Sequence, residues 1–335
     1  MGQSLTRGPA STGQEDRLTP AGNPLPEVIH AEVSAKQLGN GRIIMVGDVH
    51  GCCDELRTLL RQCNFQQGCD VLIFNGDMVN KGPKSVEVLD CIRALGALAV
   101  RGNQDDKALK DWLQWKAGSP LKVGSWLEAL DEDNARWLGQ LPFSISIPSH
   151  NVVVVHAGMI PGVPLQDQTL ETLTEVRTLP ATSGSTDAST ATASAPTGEE
   201  HAASSNPEQA VSVAATESAP AKEVPWASLW KGPQHVFFGH DATRRLQTWP
   251  AATGLDTGCC YGGLLTAAIL PPIQETLAGD LIAAAAASIN LAETAQQEAQ
   301  TAPTLAQLQA SLVMVPAMHV YHVKHKKVAK EASAD

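Results

Sequence analysis

Three short apolar runs, each stopped by a glycine and then by an acid or its amide, constrain this chain more than any other feature. Arg42-Ile43-Ile44-Met45-Val46 runs into Gly47-Asp48, Val71-Leu72-Ile73-Phe74 into Gly76-Asp77, and Leu98-Ala99-Val100 into Arg101-Gly102-Asn103. β-Branched runs of this length, bounded by turn residues, predict buried strands. Between them, residues 52–64 carry Leu56, Leu59, Leu60 and Cys63 at helical spacing, and residues 84–95 carry Val86, Leu89 and Ile92 on one face. Strand, loop and helix in that alternation predict a layered α/β protein.

The rest of the chain extends the pattern. Trp112, Trp115, Trp126 and Trp137 fall at helical spacing across 105–140 and are expected to pack as core under a helical layer. Ile145 and Ile147, then Val152 to Val155, predict strands of a second sheet, the latter ending at His156-Ala157-Gly158. Val236-Phe237-Phe238 ends at Gly239-His240, Leu264 to Leu270 is a further strand, and Val315 to Val323 is expected to close the sheet. Residues 1–40, rich in Pro, Gly, Ser and Thr, read as a flexible tail ahead of one domain over 41–323. Two low-complexity insertions interrupt that domain. Residues 181–223 hold almost no large apolar side chain and cannot bury enough surface to order themselves. Residues 276–312 are Ala- and Gln-rich and are expected to be partly helical, and 324–335 form a C-terminal tail.

Composition sharpens what the chain can do. Of its net charge of −11, nine units lie in residues 181–224 and 272–316, so the remainder is close to neutral. No basic face for a nucleic-acid backbone is evident, and general phosphate-backbone binding is not expected. The seven cysteines include the adjacent pairs Cys52-Cys53 and Cys259-Cys260 and no C-x-x-C, which excludes zinc ribbons and thioredoxin-type motifs and points to a reducing compartment. No apolar run reaches the length of a membrane span. A cytoplasmic location is expected, with Gly2 of Met1-Gly2-Gln3-Ser4-Leu5-Thr6 a loose match to a myristoylation pattern. Oligomeric state is not legible.

Six metal-capable side chains follow the apolar strands: Asp48, His50, Asp77, Asn103, His156 and His240. An aspartate after a strand is commonly a helix N-cap, and a lone histidine is commonly a hydrogen-bonded structural residue. Six together, each flanked by glycine at a strand C-terminus where α/β ligands converge, favour a metal site. Two carboxylates, three imidazoles and an amide oxygen suit a pair of divalent ions such as Mn, Fe, Zn, Co or Mg. A shared carboxylate can bridge two such ions, which lower the pKa of water and clamp both oxygens of an in-line displacement.

At these residues the chain resembles the calcineurin-like metallophosphoesterases. Gly47-Asp48-Val49-His50-Gly51, Gly76-Asp77-Met78-Val79-Asn80-Lys81-Gly82-Pro83, Gly102-Asn103-Gln104-Asp105-Asp106, His156-Ala157-Gly158 and Gly239-His240 carry the resemblance. Within that family the phosphoprotein-phosphatase superfamily is closest, and within it the ApaH-like branch, named for the bacterial symmetrical diadenosine tetraphosphatase. The runs Val154 to Val163 and Thr253 to Gly263 match as well, so the resemblance covers roughly 41–178 and 224–323. It implies an α/β fold of the α+β kind, a four-layer β-sandwich flanked by helices with the site at its top edge. It implies that Asp48, His50 and Asp77 hold one ion, and that Asp77 as bridge, with Asn103, His156 and His240, holds the other. It implies a phosphatase in which a metal-bridging hydroxide attacks phosphorus in line.

Two positions depart from the broader superfamily, which has Asp-Arg in place of Asn80-Lys81 and His in place of Gln104. In protein phosphatases that histidine, oriented by that aspartate, protonates the leaving oxygen. Both partners are amides here and neither donates a proton as an acid, a loss of help typically worth about 10²–10⁴-fold. An alkoxide needs that help, whereas phosphate leaving from an anhydride is already weakly basic. Dinucleoside polyphosphate, inorganic polyphosphate or a capped RNA end is therefore the expected substrate. Asp77, Asn103, Arg101 and Gln104 are the expected catalytic residues, Arg101 gripping phosphate oxygens and, with the two ions, stabilising the developing charge, while Lys81, Arg244 (or Arg245) and Tyr261 are further candidates for substrate contact. Trp230 is expected to pack as core rather than stack on a base. Two alternatives stay open: a serine/threonine or tyrosine protein phosphatase, and a non-catalytic metal-binding scaffold.

Overall fold

The first three runs pair as the alternation predicts. In the computed structural model, which describes residues 6–7, 18–181, 222–272 and 301–323, Ile43–Val46 lies parallel to Val71–Phe74, and that strand parallel to Leu98–Ala99. Leu264–Leu270 joins antiparallel to Ile43–Val46, and Ser311–Pro316 forms the edge of a five-stranded sheet. Val46 stands opposite Phe74, so the residues that follow each strand, including Asp48 and Asp77, emerge at one edge.

A seven-stranded sheet packs against it, in the order Thr6–Arg7, His30–Glu32, Ser144–Ile147, Val152–Val155, His235–Phe238, Ala252–Gly254 and Gln247–Trp249. Its central trio, Val152–Val155, His235–Phe238 and Ala252–Gly254, is parallel. His156, His240 and Asp256 follow those three strands as Asp48, Asp77 and Asn103 follow the first trio.

Alternation along the strands makes the layers. Ile43, Met45, Val71 and Ile73 meet Ile145, Ile147, Val154 and Phe237 between the sheets. Their neighbours Ile44, Val46, Leu72 and Phe74 face the helices Cys53–Gln62 and Ser85–Ala94 through Leu56, Leu59, Val88, Leu89 and Ile92. Strands covered on both faces read as continuous apolar runs, which is why all four residues of each are buried. Trp226, first residue of the helix Trp226–Leu229, packs its ring 5.0 Å from that of Phe238 on the far side of the second sheet. Helix, sheet, sheet and helix give the expected four layers. Trp112 is buried in the helical core, with Trp115, Trp126 and Trp137 packed against it, and Trp230 is buried as expected.

Several boundaries are corrected. The reading of 1–40 as a tail fails at Thr6–Arg7, which pairs with His30–Glu32, and again from residue 18 onward: His30–Glu32 pairs parallel with Ser144–Ile147, and Ser34 caps the helix Ala35–Leu38 through a capping box. Ala31, Val33 and Leu38 are buried there. A three-residue strand with one apolar residue, Ala31, is too short a pattern to register against a Pro- and Gly-rich background. Ser311 and Leu312, assigned to the second insertion, belong to the edge strand, and the chain leaves that sheet at Pro316 rather than Val323. Residues 317–323 instead form a strap over the first sheet's helix, described below. Residues Thr178–Val224 make a separate small unit, in whose described part Thr178–Pro180 pairs with Glu223–Pro225. Gly2, residues 182–221, residues 273–300 and the tail 324–335 lie outside the described residues.

Candidate metal centre

The two parallel trios deliver their loop residues to one place. Two buried groups of side chains lie there, Asp48 with His50 and Asp77, and Asp77 with His156 and His240; within each group the ligand atoms lie within 4.8 Å of one another. Asp77 belongs to both. Its Oδ2 is 3.4 Å from His50 Nε2 and its Oδ1 is 3.4 Å from His156 Nε2, so one carboxylate turns one oxygen to each group. Asn103 opens the helix Asn103–Lys116, and its Oδ1 lies 3.3 Å from His156 Nε2. All six expected ligands are therefore brought together.

Backbone geometry aims these side chains. His50 Nδ1 meets Val79 O at 3.0 Å and His156 Nδ1 meets Asn75 O at 2.9 Å, which assigns the proton to Nδ1 and turns each Nε2 lone pair inward. That pattern is how proteins orient metal-ligating histidines. His50, Asp77 and His240 all have positive φ, at 46, 50 and 67 degrees. Non-glycine residues in that region cost about 1–2 kcal/mol each, and such strain gathers at functional sites. Gly102 is required beside Asp77, because a Cβ there would stand 2.2 Å from Asp77 Oδ1.

Electrostatics favours a cation. Burial alone would raise Asp77, but His156, His50 and Lys81 outweigh it and hold the carboxyl at about 2. Burial lowers His50 to about 4 and His240 to about 2, keeping both imidazoles neutral. His240 Nε2 is buried without a hydrogen-bond partner. Lys81 Nζ reaches His50 Nε2 at 2.7 Å, so a positive group is already drawn to this cluster. An ionised carboxylate, neutral imidazoles, an amide oxygen and an orphaned ring nitrogen fit divalent ions of borderline softness.

The cation candidates part ways. Lys81, with its ammonium also 5.5 Å above the Tyr261 ring, sits at the site, and so does Tyr261. Arg244 donates to the carboxylate of Asp241, next to His240. Arg101 is a correction. It is fully buried, its Nη1 donates to Asp106 Oδ1 at 3.1 Å, its Nη2 donates to Gly139 O, and its guanidinium lies 5.1 Å from the Phe143 ring centroid. Its charge tethers the helix Asn103–Lys116 to the core, with no face left for phosphate. Gln104 donates its backbone N–H to Asp77 Oδ1 at 2.8 Å. Asn80 does not orient the Gln104 side chain: its Nδ2 donates to the Gln104 backbone oxygen, and its Oδ1 accepts from Trp126 Nε1.

Three residues at the site, Asp256, Glu175 and Arg177, were not singled out from the sequence, and Asp105 takes a part there as well. Asp256, buried beside Asp48, follows the strand Ala252–Gly254 in the same strand-then-acid pattern, a signal that was present; burial pushes its carboxyl up. Asp105 binds the N–H groups of Met78, Val79 and Gly102, fixing the Asp77 loop, and burial with Asp77 nearby raises it to about 7. Glu175 lies 4.0 Å from His240 Nε2, and Arg177 donates to the His240 carbonyl at 3.2 Å. Both are exposed at the mouth, where no motif marks them.

Comparison with known proteins meets this geometry. The calcineurin-like phosphoesterase family profile matches residues 41–244. A symmetrical bis(5'-nucleosyl)-tetraphosphatase of Proteus mirabilis (strain HI4320) is 31% identical over 257 residues, 66% of this chain and 92% of the relative. One from Citrobacter koseri (strain ATCC BAA-895 / CDC 4225-83 / SGSC4696) is 33% identical over 251 residues, 66% of this chain and 89% of the relative. A crystal structure assigned provisionally as a diadenosine tetraphosphatase superposes with a TM-score of 0.57 at 30% identity, covering 86% of this chain and 97% of its own.

Proposed function

The chain belongs to the calcineurin-like phosphoesterase family of hydrolases, and from that premise we propose that it cleaves phosphoanhydrides, of which dinucleoside polyphosphates are the leading class, at a site for two divalent ions. The observation that carries the reading is the placement of Asp77, with one carboxylate oxygen toward each of two histidine-bearing groups. Asp48 and His50 complete one group, and Asn103, His156 and His240 the other. Divalent ions held by those residues would supply a hydroxide nucleophile at neutral pH and draw charge from the phosphate oxygens.

The protein's own groups do the rest. Lys81 adds positive charge within reach of a phosphate bound over the cluster, and Arg177 adds a guanidinium at its mouth. Gln104 holds Asp77 through its backbone N–H, and its side chain offers no acidic proton. Asn80 is committed to Trp126 and to the Gln104 backbone, so the usual acid pair is missing in function as well as in name. A weakly basic phosphate leaving group tolerates that loss and a serine alkoxide does not. The names of the relatives support the same substrate class.

The test uses two variants. Asp77→Asn is expected to abolish turnover and lower bound metal. Gln104→His is expected to raise kcat/KM on unreactive phosphomonoesters more than on anhydrides. Full activity in the first, or an equal effect on both substrate classes in the second, overturns the corresponding step.

A further inference from the structure

Beyond Pro316 the chain turns back as a strap over the helix Cys53–Gln62 and the loop that carries Tyr261. Met318 N and Tyr321 Oη both donate to Oε1 of the fully buried Glu55 at 2.9 Å, and the N–H groups of Tyr321 and His322 donate to Cys260 O at 3.0 and 2.9 Å. Val320 bridges to Tyr261, whose ring stands 5.7 Å from that of His322 in edge-to-face contact. The strap is thus anchored from both sides, yet its apolar side chains point outward. Of seven exposed large hydrophobic residues among those described, Met318, Val320 and Val323 lie here. A cluster of this kind, unlike scattered single residues, marks a binding surface.

Val320, His322 and Val323 with Tyr261, Ala242 and Arg245 line an open pocket of about 280 Å³. That is small beside the roughly 300–1,000 Å³ of sites for drug-sized ligands. Two aromatic rings, two valine side chains and a guanidinium make a wall for a flat, polar-edged ring. The Tyr261 ring is also the one beneath Lys81 Nζ, which touches His50. One face of this tyrosine therefore belongs to the metal centre and the loop carrying it borders the pocket.

We propose that the pocket takes the base of a nucleotide whose phosphates lie at the metal centre. The inference rests on the phosphoanhydride reading only for the placement of those phosphates, and it adds the residues that would hold the nucleoside of such a substrate. Stacking on aromatic side chains is tolerant of base identity, so any base profits. Arg245, whose Nη1 is bound to Thr257 O, sets a fixed cation on the rim where a base carbonyl or ribose oxygen would lie.

Titration calorimetry on the full metal-loaded chain tests this with two probes, adenosine 5'-monophosphate and ribose 5-phosphate. Wild type is expected to bind the nucleotide about tenfold more tightly, and His322→Ala to lose that advantage while keeping the melting temperature. Val320→Asp, at a position 63% exposed, is the second variant should the first not fold. Equal affinity for the two probes in wild type, or an advantage retained in the folded variants, overturns the pocket. Absence of turnover on every anhydride overturns the proposed function but leaves the affinity ratio to be read by itself, so the two failures are distinguishable.

Discussion

Gly239→Ala probes the metal centre without touching any ligand. Gly239 follows the strand His235–Phe238 and donates its N–H to His156 O at 2.7 Å. A Cβ there would stand 2.0 Å from Asp48 Oδ1 and 3.2 Å from its Cγ, where real Cβ contacts do not fall below 3.0 Å. The carboxylate must therefore retreat by about 1 Å, a displacement that at a reacting centre costs about 10²-fold. It cannot retreat freely, because His240 N holds both its oxygens, at 3.1 and 3.2 Å. Moving it breaks that bond or drags His240 with it. Metal affinity is expected to fall by about 10–100-fold, the usual effect of disturbing a ligand's support. Overpacking at a buried glycine costs about 1–3 kcal/mol, so the fold is expected to survive. Bound Mn after dialysis, kcat/KM on an anhydride, and urea unfolding are measured on one preparation. Wild-type metal affinity and activity with a lowered unfolding midpoint would refute the placement of Asp48 as a ligand.

Three further perturbations separate stability from chemistry. Burial lowers His235 to about 4, so this ring stays neutral in the fold while in the unfolded chain it takes up a proton near the ordinary histidine value of 6.5. Stability is then expected to fall as pH drops from 6.5 toward 4, by about 3 kcal/mol in all, and His235→Gln to flatten urea unfolding across that window. Gly139, inside the helix Glu132–Gln140, has only Leu109 Cδ2 within 4 Å of an added Cβ, at 3.5 Å, so Gly139→Ala is expected to raise stability by about 0.5–1 kcal/mol in the same assay. Arg101→Leu takes the counter-charge from the buried Asp106 carboxylate, to which Asn23 Nδ2 and Ala21 N still donate, and is expected to cost about 3 kcal/mol in unfolding free energy. Its main effect on an anhydride is expected through that loss; a folded, stable Arg101→Leu with abolished activity would restore Arg101 to the site.

The strands, the order of layers and the six ligands were legible because each rests on a local signal: an apolar run, a glycine and a donor. Arg101 was misread because a charged residue after a strand can turn inward when an acid waits for it. Asp106, five residues on, was that acid. Asp256 carries the same strand-then-acid signal as Asp48 and was passed over for want of a histidine beside it. Glu175 and Arg177 reach His240 only through tertiary folding, from a helix end with no pattern of its own. The strand His30–Glu32 was hidden for a similar reason, since its partner Ser144–Ile147 lies more than a hundred residues away.

The most direct measurement is product analysis of the purified, Mn-loaded protein offered diadenosine tetraphosphate, inorganic polyphosphate, a capped RNA and a phosphoserine peptide side by side, with Asp77→Asn as control. Cleavage of an anhydride by the wild type alone, with the peptide left intact, is the predicted result, and the products name the bond. Cleavage of the peptide alone would contradict the leaving-group argument built on Gln104 and Asn80 and require another residue to act as the acid.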